Sequence, residues 1–271
     1  MWQPKVKTIA ALQKGLIVLD AITEAGNGIS LQALHDKTAI PKATLLRLLL
    51  TLEQHGLIWR RLLDGTFFAS HTARRPKNNG GLIGRLAEYA GDELETLQAK
   101  IQWPSDLAVR RGNAMTLCET NRNTFYMSVH KDKVGFEVSM LRSAVGRAYL
   151  AFCPDDEREQ ILAGLRKSCR PGDALAHNSA KLDAIFAQTR QAGYGRREPT
   201  FGGNYDEPRA THNDKLTALA VPILKHGGGI YGCLNIVWIE SLFSVEEMAD
   251  KHLAALTKTA SRIARKMALP R

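Results

Sequence analysis

Between residues 45 and 52 leucine recurs at i, i+3, i+4 and i+7, as Leu45, Leu48, Leu49 and Leu52, with Ala43, Arg47 and Gln54 on the opposite face. That period is one apolar stripe of a helix that must bury itself against other helices. Pro41 is pre-set for a first helical turn and Gly56 for the C-terminal cap, so the pattern predicts a helix between them. Upstream, Ser30 suits the N-cap of a shorter helix whose Leu31 and Leu34 pack on the second. Before that, Ile9 to Glu24 keeps helical spacing through Leu12, Leu16, Leu19 and Ala21/Ile22, supplies a third wall, and stops at Gly26-Asn27-Gly28. Downstream, Leu57 to Arg61 reads as an apolar strand ending in two arginines, Asp64-Gly65 as a hairpin turn and Thr66 to Ala69 as the returning strand. Three helices followed by a basic hairpin form a winged helix-turn-helix. A helix-turn-helix is also an economical way to pack helices without binding anything, and it is the basic wing that argues for nucleic acid. Lys42 and Thr44 fall in the first turn of the second helix of the pair, where free N–H groups and the helix dipole favour a phosphate or a base edge.

From Ser70 to Gly81 the apolar period is lost and Arg74, Arg75, Pro76, Lys77 and paired Asn and Gly accumulate, which is linker composition; its charges either touch phosphates or are solvated. Leu82 to Ile101 returns to helical spacing through Leu86, Ala90, Leu94 and Leu97. This helix either joins two domains or pairs with a second subunit. Beyond Trp103 the pattern shortens to strands: Asp106 to Arg110, Ala114 to Glu119, Phe125 to Val129, then Leu219 to Leu224 and Ile230 to Ile239. Helices are expected at Ala144 to Phe152, Glu157 to Leu165, Ala180 to Ala192 and Val245 to Met267. The expected class is α+β, with a winged helix-turn-helix in residues 1–75, a linker and connecting helix in 76–101 and a sheet-based sensor domain in 102–271. Arg196 to Leu216 has no period and carries Pro199, Gly202, Gly203 and Pro208; it is either a lid or binding loop, or a disordered insertion.

The length of 271 residues suits two domains, and 44% hydrophobic with 24% charged residues fits a soluble globular protein. The net charge of +10 is unevenly spread: residues 1–75 hold ten Lys/Arg against five Asp/Glu, and the remaining residues 27 against 22. Half the excess thus sits on the winged segment, which favours a polyanionic partner there. Cys118, Cys153, Cys169 and Cys233 show no ligand spacing, so reduced thiols are expected rather than zinc or disulfides. With no apolar leader and no membrane-length apolar run, the expected location is cytoplasmic and no membrane partner is expected.

Enzymatic motifs are weak. Gly227-x-Gly229-x-x-Gly232 matches a dinucleotide fingerprint by letters but precedes a strand, where pyrophosphate needs a helix N-terminus; a hairpin turn is the better reading, and no cofactor is expected. Cys153 and His130 are one conceivable nucleophile and base, with a packed cysteine as the plainer reading. Asn235 faces the same side of its strand as Cys233 and Val237, and a buried amide there needs a backbone or ligand partner. Ser143 is either an N-cap or part of a site offering N–H groups to a carboxylate. A pocket facing both fits a small, partly apolar organic acid.

Taken in order, Ile40-Pro41-Lys42-Ala43-Thr44-Leu45-Leu46-Arg47-Leu48-Leu49, the Asp64-Gly65 wing, Ser143-Ala144-Val145-Gly146-Arg147-Ala148, Gly193-Tyr194, Ala220-Val221-Pro222 and Gly232-Cys233-Leu234-Asn235 resemble the IclR family of bacterial transcriptional regulators over essentially the whole chain. Trp103-Pro104-Ser105-Asp106 and Ala151-Phe152-Cys153-Pro154 look like the subgroup that includes the 3-(3-hydroxyphenyl)propionate-responsive activator of aromatic-acid degradation. The resemblance implies a winged helix-turn-helix with a GAF-like effector domain and no catalysis. It also implies operator DNA, a small organic acid and further copies of the chain, as dimer or tetramer, as partners. It assigns DNA contact to Lys42, Thr44, Leu46 and Arg47; Ala43 on the open face of the same helix and Arg60 and Arg61 on the basic wing join them as candidates. Effector contact falls to Leu141, Ser143, Ala144, Gly146, Ala218, Asn235 and Val237, with Cys233, on the same strand face as Asn235, as a further candidate. Activation of aromatic-compound catabolic genes is the expected role; a repressor of the same type, or a small-molecule enzyme with a helical appendage, are the alternatives.

Overall fold

The structure, a computed structural model, describes residues 8–70, 81–122, 135–203 and 207–269. The chain divides into two compact units, residues 1–88 and 89–270, with the division falling inside one helix.

In the first unit, α1 (Ala10–Ala25), α2 (Leu31–Thr38) and α3 (Lys42–Gln54) precede a ribbon of β1 (Ile58–Arg60) and β2 (Phe67–Ala69). Ser30 caps α2 by accepting from the Ala33 N–H at 3.2 Å. The turn into α3 is set by Ala39 in the left-handed region (φ 54°) and by His35 Nδ1 bonded to the Ile40 carbonyl at 2.9 Å. Pro41 stands at the N-cap of α3, one position before the first helical residue. Leu45 and Leu49 are fully buried, with Leu48 and Leu52 packed beside them against Val18, Leu19, Ile22 and Leu34. The spacing of α1 misassigns part of its stripe. Its buried positions are Gly15, Val18, Leu19, Ala21 and Ile22, whereas Leu12 and Leu16 are 59% and 49% exposed. In β1–β2 the pairs are Ile58 with Ala69, Trp59 with Phe68 and Arg60 with Phe67.

The second unit is a six-stranded antiparallel sheet in the order β5-β4-β3-β8-β7-β6. Its strands are β3 (Asp106–Arg111), β4 (Ala114–Thr120), β5 (Glu137–Ser139), β6 (Gly195–Arg196), β7 (Leu216–Leu224) and β8 (Ile230–Ile239). Its helices are the C-terminal part of α4 (Gly81–Ile101), α5 (Ala144–Phe152), α6 (Asp155–Arg166), α7 (Ser179–Ala192) and α8 (Val245–Ala268), with a 3-10 segment at Pro171–His177. Alternation along β7 and β8 gives the sheet two apolar faces. Ala218, Ala220, Cys233 and Val237 share a core with α5, α6 and α7. Leu219, Val221, Leu234, Ile236 and Trp238 are buried on the other side, and α8 packs on β7 and β8. Glu93 of α4 ties to Arg262 and Lys266 of α8 at 2.6 and 2.9 Å.

The Gly227 to Gly232 run is the hairpin between β7 and β8: Lys225 N–H donates to the Gly229 carbonyl at 3.0 Å. Gly232 lets β8 approach β3, since a Cβ there would lie 2.5 Å from the Ala108 carbonyl oxygen. The expected strand at Phe125 to Val129, His130 and the charged part of the linker lie outside the described residues.

Candidate nucleic-acid interface and sheet cavity

At the start of α3, Lys42, Ala43, Leu46 and Arg47 are exposed and Thr44 is half-buried. Among the described residues, neither Lys42 nor Arg47 has an ion pair. Leu46 and Leu50, one turn apart, are 52% and 55% exposed, an open apolar pair on the helix that carries Arg47. A helix N-terminus with uncommitted cations and an adjoining apolar strip suits a duplex groove, offering charge to phosphate and methylenes to thymine.

The wing divides its two arginines. Arg60 is exposed, its guanidinium 6.0 Å from the centre of the Phe67 ring. Arg61 is half-buried and committed: Nε donates to Asp64 Oδ1 at 3.0 Å, Nη2 pairs with Asp64 Oδ2, and the group lies over Phe68. Its geometry shapes the turn rather than leaving a free cation. Burial raises the Asp64 carboxyl, but the hydrogen bonds from Arg61 and Thr66 outweigh it and hold the pKa at about 2.

In the second unit a cavity of about 60 Å³ opens between the start of α5, the sheet and the segment that follows β6. It brings together Ser143, Ala144, Ala218, Asn235 and Val237 from the sequence-derived set. Leu141, Gly146 and Cys233 do not line it. Leu141 is in the core, and its carbonyl accepts from Arg147 Nε at 2.8 Å. Gly146 has a packing reason, because a Cβ there would sit 2.2 Å from the Met140 carbonyl oxygen. Cys233 is fully buried, with its thiol pushed well up by burial and by Cys153.

Both members of the polar pair have partners within the fold. Ser143 caps α5, accepting from Gly146 N–H at 3.0 Å and donating to the Ser139 carbonyl at 2.6 Å. Asn235 is satisfied by Asp106: its Oδ1 accepts the Asp106 backbone N–H at 2.7 Å and its Nδ2 donates to Asp106 Oδ2 at 2.9 Å.

Sequence reasoning missed the charged members of the wall: Asp106, Arg122, Arg197 and Asp214, with the Phe201 ring among them. Asp106 is fully buried and bound by Arg122 through Nε at 2.8 Å and Nη2 at 2.6 Å. Burial opposes its charge, but Arg122, Thr120 and Asn235 win and hold the carboxyl below its usual range. The described part of the segment from Arg196 to Leu216 is not structureless. Arg142 grips Glu198 at 2.8 Å and the Thr200 carbonyl at 3.1 Å, and Phe201 bridges Pro208. Cys153 is a poor nucleophile, because burial, with Glu157 adding to it, pushes the thiol up to about 11.

Comparison with known proteins follows the same division. Residues 11–61 match the family model of the IclR helix-turn-helix domain, and residues 85–265 that of the bacterial transcriptional regulator IclR C-terminal region. The chain is 25% identical over 217 residues to the probable transcriptional regulator SauR of Cupriavidus necator, covering 80% of this chain and 81% of that one. It is 21% identical over 251 residues to the HTH-type transcriptional regulator XynR of Escherichia coli, covering 89% and 91%. Among solved structures, it is similar to the Thermotoga maritima IclR (TM-score 0.55, 19% identity, 95% and 98% coverage). It is also similar to an IclR homolog from Microbacterium hydrocarbonoxydans complexed with 4-hydroxybenzoate (TM-score 0.52, 20% identity, 95% and 99% coverage). At these identities the structural likeness is one of fold. The matching families and relatives are transcriptional regulators, not enzymes.

Proposed function

Since this chain belongs to the IclR family of DNA-binding transcriptional regulators, we propose that it reads operator DNA with Lys42, Ala43, Thr44, Leu46 and Arg47, and that a small aromatic acid held in the sheet cavity governs that binding. The open face of α3 carries this reading: Lys42 and Arg47, without an ion pair among the described residues, share the helix with the exposed Leu46 and Leu50. Arg60 adds a phosphate contact from the wing, while Arg61 acts through the shape of the turn it forms with Asp64.

Support for an acid effector comes from the polar and aromatic character of the cavity wall and from the 4-hydroxybenzoate in one homologue's structure. The cavity is far below the roughly 300 Å³ or more of ordinary ligand pockets, so an aromatic ring enters only as its wall moves. Binding that favours one wall arrangement shifts the population of DNA-competent states. The chain works as a cytoplasmic dimer or tetramer, with paired α3 helices about one helical turn of DNA apart; the exposed apolar residues Leu12, Leu16 and Ile17 of α1, with Ile9 at its N-cap, support self-association. Its role is activation of aromatic-compound catabolic genes, in the manner of the 3-(3-hydroxyphenyl)propionate-responsive subgroup.

Gel retardation with the DNA upstream of the protein's own gene tests the reading. A shifted band that Arg47→Ala weakens, with 4-hydroxybenzoate binding intact by calorimetry, supports it; a wild-type chain that shifts nothing overturns it. Transcription with and without aromatic acids reads the sign of regulation.

A further inference from the structure

Among the described residues, four charged groups line the sheet cavity, Arg122 and Arg197 against Asp106 and Asp214, and they are held unequally. Asp106 accepts from four side-chain donors: Thr120 Oγ1 and Arg122 Nε on one oxygen, Arg122 Nη2 and Asn235 Nδ2 on the other. The Arg197–Asp214 pair is thinner. Arg197 is only 8% exposed, yet a single nitrogen, Nη2, reaches Asp214 Oδ1 at 2.9 Å while also donating to the Phe201 carbonyl at 2.9 Å. Its Nε is buried and has no hydrogen-bond acceptor among the described residues. The remaining Asp214 oxygen lies against Gly203, where a Cβ would come within 2.0 Å of it. The Nε–Nη2 edge, which suits a carboxylate held by two parallel hydrogen bonds, is therefore half used.

We propose that Arg197 anchors the carboxylate of the ligand and that Asp214 is its internal competitor for that guanidinium, a proposal that rests on the cavity being the effector site. The charge count favours exchange over addition. Among the described residues the wall is neutral as it stands, and a second carboxylate beside Asp214 would bury an unmatched negative charge. An acid that takes both Nε and Nη2 leaves Asp214 to relocate. Because Asp214 also accepts the Leu216 N–H at 3.0 Å and donates its own N–H to the Gly202 carbonyl at 3.3 Å, its departure loosens the start of β7. Binding thus reaches the sheet through one ion pair. The Phe201 ring, 4.8 Å from the Arg197 guanidinium carbon, places an aromatic surface beside the anchor.

The test is calorimetric titration of the full-length chain with acetate, 4-hydroxybenzoate and the uncharged 4-hydroxybenzamide. Asp214→Asn keeps an oxygen for Leu216 and removes the competing charge, so it is expected to bind both acids at least tenfold more tightly than the wild type, with no gain for the amide. Arg197→Gln added to it is expected to abolish the gain. If Asp214→Asn does not fold, Asp214→Ser, which also keeps an acceptor, takes its place. Equal acid affinity with and without Asp214, or a gain that survives loss of Arg197, overturns the proposal. Gel retardation on the same proteins separates the two readings: competition without any DNA shift leaves the anchor standing and sinks the regulator, and a DNA shift without competition does the reverse.

Discussion

The open face of α3 and the wall of the sheet cavity both carry arginines, and they use them in opposite ways. Lys42 and Arg47 stand on an exposed surface with no partner in the described residues, so folding asks nothing of them and they stay available to a polyanion. Arg122 and Arg197 are buried, and each is matched by a carboxylate within the fold. An exposed cation is cheap to keep and screened by salt, whereas a buried one persists only while its counter-ion is present. Charge at the first site is therefore about affinity for an outside partner, and at the second about the integrity of the fold and its response to a rival anion.

The largest effect expected from this contrast is on stability, at the cavity. Arg122→Met leaves Asp106 buried with hydrogen bonds but no cation, and about 3–5 kcal/mol of unfolding free energy should be lost in urea titration followed by the far-ultraviolet dichroism of the sheet domain. Adding Asp106→Asn, which removes the stranded charge, should recover much of it; a single variant within 1 kcal/mol of wild type would show the pair to be dispensable. The next effect is on binding alone. Arg47→Ala should weaken operator affinity by about 1–3 kcal/mol, roughly five- to 150-fold, while changing the unfolding free energy by less than about 0.5 kcal/mol. Smaller again is Lys42→Ala, expected to lower affinity evenly across operator variants and to flatten the dependence of log affinity on log salt by about one phosphate's worth, roughly 0.9 in slope. A loss confined to particular base pairs would instead place Lys42 on a base edge.

The same contrast explains what could be read from the chain without its structure. The helices of the first unit were legible because their signals are local: a leucine every third or fourth position, Ser30 ahead of α2, Gly56 after α3. Even there, periodicity marks a face as apolar without saying what covers it. Leu12 and Leu16 continue the spacing of α1 yet stay open, while Gly15 and Val18 take the buried stripe. The cavity was legible only through its uncharged members. Asp106 meets Arg122 across 16 residues and Asn235 across 129, and Arg197 meets Asp214 across 17, separations at which no spacing rule operates. A charge at the first position of a strand also looks like a solvated edge, so Asp106 carried no sign of burial. β5 and β6 have three and two residues, too few for an alternation to register, and their neighbours in the sheet hold them.

The smallest expected effect lies where the two uses of charge meet, in the wing. Asp64 is partly exposed, and burial by itself would raise its carboxyl; hydrogen bonds from Arg61 and Thr66 reverse that and bring it to about 2. A folded-state value depressed below the unfolded one, about 3.9, means the interaction is fully present above pH 4 and is lost as the pH falls through about 2. At neutral pH the wing turn is therefore insensitive to acidification, and only solvent screening limits how much it contributes. A carbon-detected titration of the Asp64 carboxyl should show a midpoint near 2 in the wild type, rising toward the ordinary range in Arg61→Ala. If Arg61→Ala leaves the midpoint unchanged, Thr66 alone holds Asp64 down. Arg61 is then as free as Arg60 to meet a phosphate, and the division drawn between the two wing arginines fails.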